Sequence, residues 1–388
     1  MGLKVQLMDI YKRITTFDKK LGVIKNGDDN NYPEIIDRYI NNSVTAKSAA
    51  NIMATYLSGK GFELENELLV NKNLTLQSFT RKLARSLSRQ GGAFVHVNYN
   101  ANYKKVSFDV LPYSHCRIGE KDDNKYNGKI IVNDTWTGKL RREDFNVIDV
   151  YNENEKVIEA QVVKAGGWDK YKGQVWYVNL NEDYDYALSP ADPVMFDCDS
   201  ESQSSIFKNK SLRKGFFGKT LIVTKPLIGE REIYPEDGVE YQAALSERKA
   251  FKETINNFIG AENVGGALHV ELEHDQTNLD DAIKIQQIGS DINDKLFEYT
   301  ERSVFNNILM AFNNVPSGLI RSDSAMFGNS GEALKEMKFT YQENTTQERE
   351  MLEQTINKLL TNFKDFNKKV KIVPLIDKPI KTVEDVNQ

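Results

Sequence analysis

From Gly331 to Lys364 the apolar residues Leu334, Met337, Tyr341, Leu352, Ile356, Leu359 and Phe363 hold to one helical face, and no proline interrupts them. The spacing predicts a single helix, about 50 Å long if straight at 1.5 Å per residue. Helices of globular domains average roughly three turns, so few ordinary domains need such a rod.

A second long helical pattern precedes it. Ile285, Ile288, Ile292, Leu296, Val304, Ile308 and Phe312 recur by three, four or eight residues; Ser290 and Asp291 can cap its main part, and Pro316 ends it. Between the two patterns lies VPSGLIRSDSAMFGNSGE, rich in Gly and Ser yet carrying Leu319, Ile320, Met326 and Phe327. Apolar side chains at those positions mark a structured or partner-touching loop rather than a linker. Upstream, SESQSSIFKNKSLRKGFFG is helix-compatible and holds Lys208, Lys210, Arg213, Lys214 and Lys219 with no acid after Glu201. A basic run of this kind is ordinarily a solvated face. It leads into a strand, helix, strand unit: TLIVTKPL, an amphipathic segment from Leu245 to Ile259, and ALHVELEH.

The N-terminal half has a different texture. Residues 33–57 read as one amphipathic helix opened by Pro33 and closed by Gly59 and Gly61, and a second helix runs from about Leu76 to Arg89. Short strand-like pieces follow: AFVHVNYN, KVSFDVLPY, KIIVND, NVIDVYN, KVIEAQVVKA and QVWYVNL. Residues 1 to about 199 therefore read as an α+β domain. The 388 residues are a prior for two or three domains.

Several function classes are disfavoured by what the sequence contains. With 51 basic against 56 acidic side chains the formal charge is −5, so the chain does not coat nucleic acid through bulk charge, and DNA contact would be local. Cys116 and Cys198 read as two ordinary thiols. Lys4, Asp9, Lys12 and Arg13 break up the N-terminal apolar residues, so no export signal is expected. Gln6 stands where myristoylation needs Ser or Thr, and no apolar run would span a bilayer, so no membrane role is expected.

Catalytic chemistry is equally thin. GFFGKT resembles the end of a phosphate-binding loop, but Arg213 occupies the position of the required first glycine, and a strand-like segment follows where a helix is needed. His269 and His274 are five apart, on opposite faces of a strand, so they do not chelate together without a bend. His115 and Cys116 are neighbours that no acid or second base motif supports. Asp291, Asp294 and Glu298 share a helical face and could in principle hold Mg²⁺, although acids in a first helical turn more simply complement its dipole. No cofactor or metal is expected.

The order of segments resembles the portal protein family of tailed bacteriophages. The residues that carry the resemblance are GDDNNYPEIIDRYINNSVTAKSAANIMATYLSGKGF, IFKNKSLRKGFFG, KAFKETINNFIGAENVGGALHVEL, SDINDKLFEYTERSVFNNILMAFNNVPSGLI and FGNSGEALKEMKFTYQENTTQEREMLEQTI, over roughly residues 28–364. The most specific piece is the helix ending in Ala311 and Phe312 with the Val315-Pro316 pair behind it, then the Gly- and Asn-containing loop and the long helix.

The resemblance implies an α+β portal fold that assembles into a ring, with a wing at 1–199, a first stem helix at 200–217, a clip at 218–282 and a second stem helix at 283–312. A tunnel loop at 313–330 and a long radial wing helix at 331–364 would follow. With 24 residues left after Lys364, the crown is minimal or missing, and the kink usual in the long helix has no assigned position. The implied role is non-enzymatic. A ring, usually of twelve subunits, stands at one capsid vertex in the virion. Through it the terminase large subunit drives double-stranded DNA, with the major capsid protein or scaffold and an adaptor or head-completion protein as further partners.

Within that ring, Lys208, Lys210, Arg213 and Lys214 would form a basic belt, facing either DNA or the acids Asp291, Asp294, Glu298 and Glu301 of a neighbouring stem helix. Leu319, Ile320, Met326 and Phe327 would pack on adjacent tunnel loops. Asn313, Asn314, Ser322, Ser324 and Asn329 would touch phosphate lightly, and Arg321 is one of the two charges there. The alternatives are another head or tail ring, such as an adaptor or tail tube, and a metal-dependent DNA-processing enzyme.

Overall fold

The computed structural model describes residues 16–63, 65–181, 184–214, 219–223, 246, 249, 250, 253, 284–288, 294–321, 331–364, 366 and 368–376; residues 211–214, 219–223, 284–288, 294–297, 299 and 300 are described by backbone alone. The chain divides into two compact units, one of Met1–Cys198 with Phe305–Gln388 and one of Asp199–Val304.

In the first unit a short hairpin, β1 (Phe17–Asp18) and β2 (Val23–Ile24), precedes helices α1 (Tyr32–Asn42) and α2 (Val44–Ser58). The sequence pattern predicts one helix here, and the chain breaks it at Ser43. Ser43 takes an extended conformation and its hydroxyl accepts the Ala46 N–H at 2.9 Å, which caps α2. Strands β3 (Gly61–Phe62), β4 (Leu69–Asn71) and β5 (Leu74–Thr75) lead into α3 (Leu76–Gln90), as the periodicity predicts. Phe79, Leu83, Ala84 and Leu87 of α3 are fully buried, and each such large side chain contributes roughly 1.5–3 kcal/mol of burial.

Strands β6 (Gly92–Tyr99), β7 (Lys105–Leu111), β8 (Cys116–Ile118), β9 (Lys129–Val132) and β10 (Asn146–Val150), helix α4 (Glu155–Ala165) and strand β11 (Gln174–Asn179) follow. The strands form one six-stranded sheet in the order β7-β6-β11-β10-β9-β8. Adjacent residues of β9 serve opposite faces: Ile130 packs with Phe94, Ile148 and Val175, and Ile131 with Val23, Tyr126 and Trp136.

Residues 156–165, which look strand-like, are helical. The reason is topological: β10 and β11 run parallel, and parallel neighbours need a crossover of about a dozen residues. Asn154 caps α4 by accepting from Lys156, Gly166 ends it in a left-handed turn, and Ile158 and Val162 bury one side.

Among the described residues the largest fully buried side chain is an arginine. Arg117 on β8 donates to the Asn30 side chain and carbonyl at 2.5 and 2.6 Å and to the Ser114 and Cys116 carbonyls at 2.8 Å, with Trp136 beneath its plane at 5.0 Å. Each guanidinium nitrogen is thereby used, which is the condition for burying the charge.

Four further helices are described. Helix α5 spans Met195–Lys214, α6 Asp294–Ala311 and α7 Gly331–Asn344, and α8 (Thr346–Leu360) continues after Thr345. The rod predicted at 331–364 is thus two helices, and Phe363 lies in the turn beyond them, stacked edge-on against Phe108 of β7 at 5.1 Å. Strand β14 (Ile372–Val373) pairs with β3, and Gly59 is required beside it, since a Cβ there would meet the Val373 carbonyl oxygen at 2.2 Å.

In the second unit β12 (Lys219–Val223) pairs antiparallel with β13 (Lys284–Ile288). Residues 284–288 are therefore strand, not the start of the second long helix, which begins at Asp294. Ile285 and Ile288, three apart, suit either period, and strand pairing decides between them. Helix α5 starts at Met195, ahead of the helix-compatible stretch that the sequence places from Ser200. Most of the predicted clip, Ser290 and Asp291, and both His269 and His274 lie outside the described residues.

Candidate functional site

The segment that follows α6 is the part of the loop region the structure describes, and it is built by an abrupt helix end. Asn313 and Asn314 both take left-handed backbone conformations, at φ 58° and 56°. Asparagine tolerates this region better than other residues with a Cβ, although each still carries some strain. Pro316 then prevents the helix from resuming, and a 3-10 turn at Ser317–Leu319 carries the chain to Arg321.

Helix ends leave carbonyls without partners, and here side chains of α7 supply them. Tyr341 Oη donates to the Phe312 carbonyl at 3.1 Å, and Asn344 Nδ2 to the Asn313 carbonyl at 3.3 Å. In the other direction Asn313 Nδ2 donates to Glu348 Oε1 at 2.6 Å and to the Asn344 carbonyl at 3.4 Å. Burial and the nearby Glu348 carboxylate push the Tyr341 hydroxyl pKa upward, so it remains a neutral donor.

These contacts converge on the break between α7 and α8. The Gln342 carbonyl receives Thr346 Oγ1 at 3.0 Å and Arg349 Nη1 at 3.2 Å, while Thr345 Oγ1 donates to the Tyr341 carbonyl at 3.0 Å, with the Gln342 carbonyl at 3.3 Å. Hydroxyls that bond back into a helix bend it, so the Thr345-Thr346 pair accounts for the interruption of the predicted rod. The break and the loop root form one hydrogen-bonded unit. Sequence reasoning missed Glu348 and Arg349; the adjacent threonines were the available signal.

Of the predicted loop residues, Asn313 is half-buried and occupied by Glu348, Asn314 is exposed, and Leu319 is half-buried. Arg321 is exposed and its guanidinium sits over the Phe305 ring at 4.0 Å, a cation–π contact that fixes the outgoing chain. Ser322, Ser324, Met326, Phe327 and Asn329 lie outside the described residues.

In the second unit Glu301 on α6 and Lys208 on α5 form an ion pair, and Ser204 donates to the same carboxylate at 2.7 Å. Sequence reading set these basic and acidic groups against DNA or a neighbouring subunit; for Lys208 and Glu301 the partner shown is in the same chain. Lys210 is half-buried and Glu298 exposed. Arg213, Lys214 and Asp294 lie on these helices with side chains outside the described residues, and Asp291 is outside them altogether.

Among the described residues no group of three or more His, Cys, Asp or Glu is placed to hold a metal, and no helix is long and apolar enough to cross a membrane. Both cysteines are buried, and burial pushes the Cys116 thiol up to about 12.

No protein-family model and no curated protein matches the sequence. Solved structures do match. A chain in the neck of the empty GTA particle, computed with C6 symmetry, is 14% identical with a TM-score of 0.51, covering 90% of this chain and 85% of that one. A chain in the virion of the native gene transfer agent (GTA) particle is 14% identical, with TM-score 0.47 and coverage of 89% and 84%. An HK97 family phage portal protein from Corynebacterium diphtheriae is 10% identical, with TM-score 0.39 and coverage of 84% and 88%. The chain therefore shares the fold of a chain in the neck of the empty GTA particle.

Proposed function

We propose that this chain is a portal protein: a subunit of a ring, twelve-membered in the family's usual form, placed at one vertex of a viral capsid. DNA enters through the ring under the action of terminase and leaves through it at ejection, while capsid or scaffold protein holds its outside and an adaptor or head-completion protein docks below. The observation that carries the proposal is the fold shared over 90% of the chain with a particle-neck protein, together with the segment-by-segment sequence resemblance.

The charge distribution supports a conduit that grips weakly. Each strong phosphate contact in a channel acts as friction on passing DNA, since phosphate binding is sequence-independent and cumulative. The chain's net charge is −5. Lys208 is neutralised by Glu301 of its own chain, which leaves less positive charge to hold DNA. Asn314 and Arg321 are the exposed polar groups at the loop root that can face a channel, whereas Asn313 is committed to positioning the loop.

A portal works by shape and assembly, so no cofactor, metal or catalytic residue is assigned. Native mass spectrometry of the purified protein tests the reading. A dominant species near twelve times 44.3 kDa supports it, and a species that stays at one or two copies across concentration overturns it.

A further inference from the structure

A cavity of about 750 Å³ opens on the first unit and belongs to none of the contacts described above except at one edge. Met53, Leu188, Pro193 and Met351 give it apolar walls. Among the described residues, its charged lining is Asp192, Glu348 and Glu350, all acids. Glu348 uses Oε1 for Asn313, while its Oε2 is buried with no hydrogen-bond partner among the described residues. A groove with apolar walls, acidic side chains and a carboxylate oxygen without a donor among the described residues fits a segment that carries both apolar side chains and positive charge.

The two chain ends outside the described residues differ in this respect. Residues 377–388, DKPIKTVEDVNQ, hold two lysines against three acids. Residues 1–15, MGLKVQLMDIYKRIT, hold Lys4, Lys12 and Arg13 against Asp9 alone, interleaved with Leu3, Val5, Leu7, Met8, Ile10 and Tyr11.

The N-terminal stretch also enters the fold at the right place. The Thr16 carbonyl accepts the Lys25 N–H at 2.9 Å, and the carbonyl of the adjacent Ile24 accepts Tyr186 Oη at 2.8 Å. Two residues past Tyr186 the groove wall begins at Leu188, and Tyr32 Oη donates to Asp192 Oδ1 in that wall at 2.7 Å. Thr16 Oγ1 is itself buried with no hydrogen-bond partner among the described residues. Fifteen residues extend up to about 50 Å, ample to run from Thr16 along this wall.

We propose that residues 1–15 dock in this groove of their own chain, with Lys12 and Arg13 meeting the acids and the interleaved apolar side chains covering Met53 and Met351. Because Ala311 and Asn313 also line the groove, the docked segment backs the root of the loop that follows α6.

Limited chymotrypsin digestion of the full-length protein tests the proposal by the rate of clipping at Leu3, Leu7 and Tyr11. In the wild type these sites are protected, and Glu348→Lys with Glu350→Lys speeds clipping about tenfold, since cleavage tracks the open population. Lys12→Glu with Arg13→Glu in that background restores protection. Glu350 is exposed, so Glu350→Lys alone leaves the Asn313 contact intact and gives a smaller acceleration, about threefold. Wild-type clipping as fast as that of the free 1–15 peptide, or rates unchanged in the Glu350→Lys variant, would overturn the proposal.

Discussion

Asn313 Nδ2 and Glu348 Oε1 lie 2.6 Å apart, and this bond joins the left-handed end of α6 to the first turn of α8. It connects the outgoing loop to the break in the long helix, the two features that most distinguish this chain from an ordinary α+β domain.

Glu348→Ala leaves the Asn313 amide half-buried and short of its best acceptor, so thermal or denaturant unfolding should show a loss of about 1–3 kcal/mol. At the neighbouring exposed position, Asn314→Gly should be close to neutral and Asn314→Val should cost roughly 1–2 kcal/mol, because only the β-branched residue clashes in the left-handed region. Equal stability of the Gly and Val variants would show that the helix end does not hold this conformation.

Arg117 is fully buried, with its hydrogen bonds to Asn30, Ser114 and Cys116 all made within the first unit. Arg117→Met strands those acceptors and leaves Glu34, 4.0 Å away, without its cation. The expected loss is about 3–5 kcal/mol in equilibrium unfolding. Arg117→Lys should recover little, since one ammonium cannot reproduce the guanidinium fork.

Lys105 on β7 is buried and donates to the Lys358 carbonyl at 2.7 Å. Burial lowers its pKa from 10.5 to about 8, with Glu153 opposing the shift and Lys358 adding to it. Below pH 8 the folded and unfolded chains are both protonated, and the cost of burying the charge is fully present. Between pH 8 and 10 the unfolded chain holds a proton that the folded chain has released, so stability rises with pH in that window. Unfolding of wild type and Lys105→Met followed from pH 7 to 10 should show this rise in the wild type alone.

The Lys208–Glu301 pair is partly exposed and within one chain, so Lys208→Ala should cost no more than about 1 kcal/mol and leave assembly intact. Charge reversal at Lys210 or Arg213 distinguishes the remaining belt. Ring formation lost without DNA present assigns it to subunit contacts, and assembly retained with altered DNA passage assigns it to the channel.

Local chemistry was legible where one element decides its own structure. The α3 face with Phe79, Leu83 and Leu87, the strands at 92–99 and 174–179, and the stop at Pro316 all follow from periodicity and turn residues. What depends on distant pairing was not. Residues 156–165 are helical because β10 and β11 are parallel, and 284–288 are strand because 219–223 pair with them. In the site, Asn313 was recognised by residue type, but its role was set by Glu348, thirty-five positions away. The break at Thr345 arises from side-chain donors of Thr345, Thr346 and Arg349 gathered on the Tyr341 and Gln342 carbonyls, which apolar spacing alone does not report.

The central claim is that this fold closes into a ring around a channel, and negative-stain electron microscopy of the purified protein tests it most directly. The account predicts class averages of closed rings with a central hole, of a size accommodating about twelve copies of the 44.3 kDa chain. Particles that remain compact monomers or dimers, with no hole in any view, would contradict it.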